Sequence, residues 1–257
     1  MNWAESIDLY CERTDASLWS EPLNAISNLG FLLIAVLLWK RASGKGRDLQ
    51  SLAGLVFAVG LGSRVFHTVA TRWAALLDIA FIALFVLIFH QRFQVRVLGT
   101  GDGKAWAGTA AFVALAALFV AATRGLPPLP LNGSEIYLPP FALLLWCARA
   151  ARRTQPASAR WLTRAAGLFV ISLVCRTSDT LLCGIWPVGT HVGWHLVNAG
   201  VLYCCLCALL AVSAPPVYPL RTTQGRGSDS AHSLADPAAP RAPGFKGGRR
   251  VPAHRRP

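Results

Sequence analysis

Charged residues are scarce in this sequence. Only 14% of its 257 residues are Asp, Glu, Lys or Arg, against roughly a quarter in soluble domains. With 54% hydrophobic residues and a mean hydropathy of +0.44, that shortage excludes an ordinary soluble domain and implies a membrane protein. Acidic residues are scarcer than basic ones, 12 against 25, and the net charge is +13. A basic excess can serve nucleic acid. Here it is interleaved between apolar runs and gathered in loops and a tail, which is a pattern of membrane orientation, so no nucleic-acid partner is expected. No short apolar core follows a basic start within residues 1–21, and no cleavable signal peptide is expected. The seven cysteines match no zinc-finger spacing. Cys204, Cys205 and Cys207 lie in an apolar run and read as packing residues.

What is abundant is long apolar runs. They fall at about 22–39, 52–69, 76–93, 105–122, 136–149, 161–182 and 190–213, most of them near the length that crosses about 30 Å of hydrocarbon. The fifth is the shortest. The expected fold is therefore an all-α integral membrane protein with seven transmembrane helices. Lys40, Arg41, Lys45 and Arg47 follow the first run. Arg92, Arg96 and Lys104 follow the third, and Arg149, Arg152, Arg153, Arg160 and Arg164 surround the loop after the fifth. The excess of Lys and Arg on cytoplasmic loops places these segments and the C-terminus in the cytoplasm and the N-terminus outside. Trp39, Trp106, Trp146 and Trp161 then mark the inner interface, and Trp19, Trp73 and Trp186 the outer one. Three segments follow: an acidic extracytoplasmic stretch at 1–21, a helical membrane domain at 22–213, and a basic cytoplasmic tail at 214–257, too rich in Pro, Gly, Ser, Ala and Arg to bury a core.

A few polar residues interrupt the apolar runs. His191 and His195 open the last run four residues apart, so on a helix both imidazoles project from one face. That spacing suits two ligands of one zinc ion, or two interfacial histidines bonded to neighbouring helices. Ser63 and His67 end the second run at the same spacing, and Asp78 lies near the start of the third. Alternating span direction brings Ser63, His67, Asp78, His191 and His195 into the outer leaflet at similar depth. Three histidines with a carboxylate nearby resemble a catalytic zinc site with one open position. Asp78 reads as a general base, as a partner orienting a histidine, or as a carboxylate at a helix N-terminus. Ser63 reads as an oxyanion donor or as a hydroxyl bonded to its own helix. Arg176 and Asp179, three residues apart, read as a structural ion pair. His90 falls at the opposite interface.

Taken together, Ser63-x₃-His67, Asp78 and His191-x₃-His195 resemble the alkaline ceramidases, in a bacterial-type form. That family belongs to a wider seven-span zinc hydrolase superfamily that includes the adiponectin receptors. Asp8-Leu9-Tyr10-Cys11-Glu12 and Glu21-Pro22-Leu23-Asn24-Ala25-Ile26-Ser27-Asn28-Leu29 are similar to the family's entry segment, and the resemblance spans about residues 8–212. It implies a zinc-dependent amide hydrolase that cleaves the N-acyl bond of ceramide or another N-acyl membrane lipid. His67, His191 and His195 would hold Zn²⁺, with Asp78 as acid/base and Ser63 in support. The site would face the outer leaflet of a bacterial inner membrane. The eukaryotic members also use an acidic N-terminal Ca²⁺ site, for which Asp8, Glu12, Asp15 and Glu21 are the candidates here; an acidic outer segment without calcium is the other reading. Cys11 and Cys183 both fall on the outward side, where a disulfide would tie the N-terminal segment over the site. A competing function is a seven-span lipid-binding or receptor-like protein whose zinc is structural.

Overall fold

The computed structural model describes residues 2–123 and 131–212. The basic tail expected at 214–257 and the Pro127-Pro128-Leu129-Pro130 segment lie outside them. Within the described residues all regular structure is helical, apart from one isolated bridge between Ser6 and Thr71. The helices are α1 (Pro22–Ser27), α2 (Leu29–Ala42), α3 (Arg47–Val69), α4 (Arg72–Arg96), α5 (Asp102–Thr123), α6 (Leu138–Ala151), α7 (Pro156–Leu182) and α8 (His191–Leu210); a 3₁₀ turn, Ser134–Tyr137, leads into α6.

Six elements are long and apolar enough to cross a membrane: Pro22–Ala42 (α1 and α2 together), α3, α4, α5, α7 and α8. Each overlaps an apolar run read from the sequence. The exception is the run at 136–149. Its helix, α6, has 14 residues, about 21 Å at 1.5 Å per residue, which falls short of a 30 Å hydrocarbon core. Pro139 and Pro140 sit in its first turn, where a missing N–H costs nothing.

α8 is the central helix and α5 the peripheral one: 56% of the apolar window of α8 is buried inside the protein, against 11% for α5. α8 packs along α7 and also touches α1, α2, α3 and α4. Small residues permit the close approaches that membrane helices rely on. A Cβ on Gly60 of α3 would stand 2.8 Å from the Phe31 Cβ of α2.

The N-terminal segment lies across one end of the bundle. Ile7 N donates to Ala70 O at 2.8 Å, and Arg72 N to Glu5 O at 3.2 Å. Cys11 and Cys183, whose pairing the sequence leaves open, form a disulfide with the two Cα atoms 5.3 Å apart. It joins this segment to the end of α7.

Candidate metal centre

The last two turns of α3, the second turn of α4 and the first two turns of α8 meet at the end covered by the N-terminal segment. Ser63 and His67 come from α3, Asp78 from α4, and His191 and His195 from α8. The three histidines are 1% exposed. Each offers a ring nitrogen, and these nitrogens lie within 4.8 Å of one another. Among the described residues, no other group of three or more His, Cys, Asp or Glu side chains converges in this way.

The imidazoles are held from outside the cluster. Glu21 Oε2 lies 2.5 Å from His67 Nδ1, and Ser27 Oγ lies 2.7 Å from His195 Nδ1. Those contacts turn the Nε2 atoms of both rings inward. Tyr10 stacks on His191 with ring centroids 3.7 Å apart. His67 Nε2 and His191 Nδ1 are buried with no hydrogen-bond partner. Buried polar atoms are rarely left in that state, and a cation would satisfy an unpaired ring nitrogen. Three imidazole donors, two of them with an outer nitrogen held by a carboxylate or a hydroxyl, are a donor set that suits zinc.

Asp78 is not part of the ligand cluster. It is half-buried, and its Oδ1 is shut off from solvent without a partner. Ser63 is buried, and its Oγ stands 3.5 Å from His195 Nε2. Ser63, Asp78 and His195 line one cavity. Apolar side chains such as Phe85, Phe89, Leu144 and Val201 line its remaining length.

The acidic residues of the N-terminal segment do not form a second centre. Asp8, Glu12, Asp15 and Glu21 do not converge as a ligand group, because each carboxylate is placed or used differently. Glu12 caps α1, accepting Leu23 N at 2.6 Å and Asn24 N at 2.8 Å. Asp15 accepts Ser17 N at 2.8 Å, and Asp8 is exposed. Glu21 is 1% exposed and serves the histidine cluster. The buried cation beside Glu21 belongs to the protein itself. Arg13 Nε meets Glu21 Oε1 at 2.6 Å, and Arg13 Nη1 donates to the backbone oxygens of Asp15 and Ser17 at 2.9 and 3.3 Å. Burial pushes the Glu21 pKa up, but the hydrogen bond and charge of His67, followed by those of Arg13, more than offset it and hold the carboxyl below its usual range.

This arrangement makes Arg13 and Glu21 supports of His67, a candidate metal ligand. Arg13→Ala is expected to weaken zinc binding about 10–100-fold, the usual effect of losing an outer partner of a ligand. Arg13→Lys restores part of it. Competition with a zinc chelator measures both. Added calcium is expected to leave the wild-type melting temperature unchanged.

Arg176 and Asp179 do not pair with each other. Asp179 is fully buried and accepts three backbone donors. Its Oδ1 takes Thr190 N at 2.6 Å and His191 N at 2.8 Å; its Oδ2 takes Cys11 N at 3.0 Å. It therefore caps the first turn of α8 from a neighbouring helix. Gly189, at φ +71°, has to be glycine, since a Cβ there would collide with Asp179 Oδ1 and Cys11 Cβ. Arg176 instead sits over the rings of Tyr137, Tyr10 and Trp194 at 5.3, 5.9 and 5.9 Å.

Sequence reasoning gathered the five residues of the centre but not what holds them. Glu21 reads there as a calcium candidate, and Ser27, Arg13 and Tyr10 carry no assigned role. One signal existed: Asn24, Ser27 and Asn28 put three polar residues on one face of an apolar run, and all three are buried. Comparison with protein-family models and with curated proteins finds no match.

Proposed function

We propose that the protein is an integral-membrane, zinc-dependent amide hydrolase that cleaves the N-acyl bond of ceramide-like lipids. The observation that carries this reading is a buried three-histidine cluster, one member of which, His195, lines a largely apolar cavity together with Asp78, a carboxylate that is not a member of the cluster. The likeness of these residues and their spacing to the alkaline ceramidases supports it and supplies the substrate class.

His67, His191 and His195 would hold the ion. Zinc bound there would supply Lewis acidity toward an amide carbonyl and toward an attacking water. The chain's own groups do the rest. Glu21 and Ser27 keep two imidazoles in one tautomer and orientation. Asp78 takes a proton from the water as its oxygen bonds to the carbonyl carbon. It returns that proton to the amide nitrogen as the C–N bond breaks, giving a carboxylic acid and an amine. Ser63 donates a hydrogen bond to the developing oxyanion. The apolar cavity wall keeps bulk water from the reaction and accepts a hydrocarbon chain.

In this reading the short α6 and the 3₁₀ turn before it make up the fifth of seven crossings. The N-terminus lies outside, the tail lies in the cytoplasm, and the centre faces the outer leaflet. A reporter fused after Pro215 is then expected to be cytoplasmic and a tag before Asp8 external; finding both ends on one side would remove this orientation. The function is tested with purified protein. Zinc content near one per chain, together with fatty-acid release from a panel of N-acyl lipids, is expected. Stoichiometric zinc with no release from any of them favours the lipid-binding or receptor-like alternative.

A further inference from the structure

The enclosed cavity has a neighbour. A second apolar groove runs between α4, α5 and α6, and the two share Ile82, Val86, Tyr137 and Pro140 as a common wall. The cause lies in how α5 is attached. Its polar fastenings to α4 come at its first two turns: Gln91 Nε2 donates to Asp102 Oδ1 at 2.9 Å, and Gln94 Nε2 to Ala105 O at 2.9 Å. Its only buried residues, Ala105 and Thr109, are there too. Phe112 still packs edge-on against His90; beyond it, small side chains (Ala83 on α4; Ala116, Ala117 and Ala121 on α5) border an open groove. On the far side, α6 starts late, at Leu138.

Any outward face of a membrane helix meets lipid. This groove differs because it abuts the cavity that carries Ser63, Asp78 and His195. Its length along α4, Ile79 to Leu87, is about 12 Å at 1.5 Å per residue. Two apolar compartments that fork beside one polar end fit a lipid with two hydrocarbon chains.

We propose that the groove between α4, α5 and α6 holds the second chain of a two-chain N-acyl lipid, while the acyl chain occupies the enclosed cavity. The assignment rests on the hydrolase reading for the position of the amide. In this assignment the acyl chain, on the carbonyl side of the amide, lies in the compartment lined by His195 and Ser63. The chain on the nitrogen side departs past Tyr137 and Pro140. Ala83, Ala116 and Ala117 thereby become determinants of substrate choice, and single-chain N-acyl amides leave half of the site empty.

The test uses the full-length, metal-stripped protein in phosphatidylcholine nanodiscs, where no hydrolysis can intervene. Two photoactivatable two-chain N-acyl amides are compared, one with the diazirine on the nitrogen-side chain and one with it on the acyl chain. The first is expected to label Ile79, Ala83 and Leu87 on α4 and residues 112–121 on α5, and the second the cavity wall around Phe31, Leu144 and Val201. Excess unlabelled two-chain amide lowers groove labelling at least fivefold, whereas excess phosphatidylcholine does not. Ala117→Trp abolishes groove labelling, whereas Leu118→Trp, at a residue 66% exposed, leaves it. Labelling that the unlabelled amide does not displace marks the groove as ordinary lipid contact and overturns the proposal, in wild type and without recourse to any variant. Displaceable labelling in a protein that hydrolyses nothing leaves the groove standing and removes the hydrolase reading; hydrolysis without displaceable labelling does the reverse.

Discussion

Asp78→Asn is expected to retain bound zinc while hydrolysis of N-acyl lipids falls by about 10²–10⁴, the usual contribution of general acid–base catalysis. The amide keeps the size of the carboxylate and loses its capacity to take a proton. Because Asp78 lies outside the ligand cluster, the ion has no reason to leave. His67→Ala, His191→Ala and His195→Ala are each expected to lose zinc and activity together, since two neutral ligands remain where three stood. Ser63→Ala is expected to cost less than about 10²–10³, the loss typical of one oxyanion donor, because the ion shares that task. Zinc per chain and hydrolysis rate, measured on all five variants, separate the roles. An Asp78→Asn protein as active as wild type would remove the proposed acid/base. Zinc retained at full occupancy in any of the three histidine variants would remove that residue from the ligand set.

The largest loss of stability is expected at a residue outside the centre. Asp179→Ala leaves the backbone N–H groups of Cys11, Thr190 and His191 without their acceptor, the last of them buried and the other two partly so. An unsatisfied buried donor costs roughly 1–3 kcal/mol, and the first turn of α8 also loses its capping charge. Destabilisation of about 3 kcal/mol or more is expected. Zinc affinity falls with it, since His191 is the first residue of α8. Asp179→Asn is expected to be milder. Its carbonyl oxygen can still accept from Thr190 and His191, but its NH₂ then faces the Cys11 N–H. Thermal unfolding in detergent with a zinc readout measures both variants. An Asp179→Ala protein as stable as wild type would show that the cap contributes nothing.

Legibility in the sequence followed the range of the interaction. His191 and His195, or Ser63 and His67, share a helix face through a four-residue spacing alone, and the direction of successive spans brings the two pairs to one end. The short run at 136–149 carried its own warning, and the structure turns it into a 14-residue helix behind a 3₁₀ turn. Asp179 was misread for an equally physical reason. Its three-residue spacing from Arg176 is compatible with an ion pair on one helix. Its partners are the N–H groups of residues 11, 190 and 191, which no local pattern connects to it.

The sequence by itself determined the class of protein, the positions of its apolar helices and the five polar residues of the candidate centre. Hydropathy and helical periodicity are local properties, and burying a polar residue in an apolar span is costly enough to mark it. Only the tertiary structure decided what each remaining polar group does. Glu21 meets His67 and Arg13, because folding sets an imidazole and a guanidinium beside its carboxylate. Ser27 went to His195, and Asp179 to the start of α8. The groove beside α5 lies where, among the described residues, that helix has no polar fastening to α4; those fastenings come at its first two turns. Such choices depend on which groups meet across the fold, at distances of a few ångströms between residues as far apart in the chain as Tyr10 and His191.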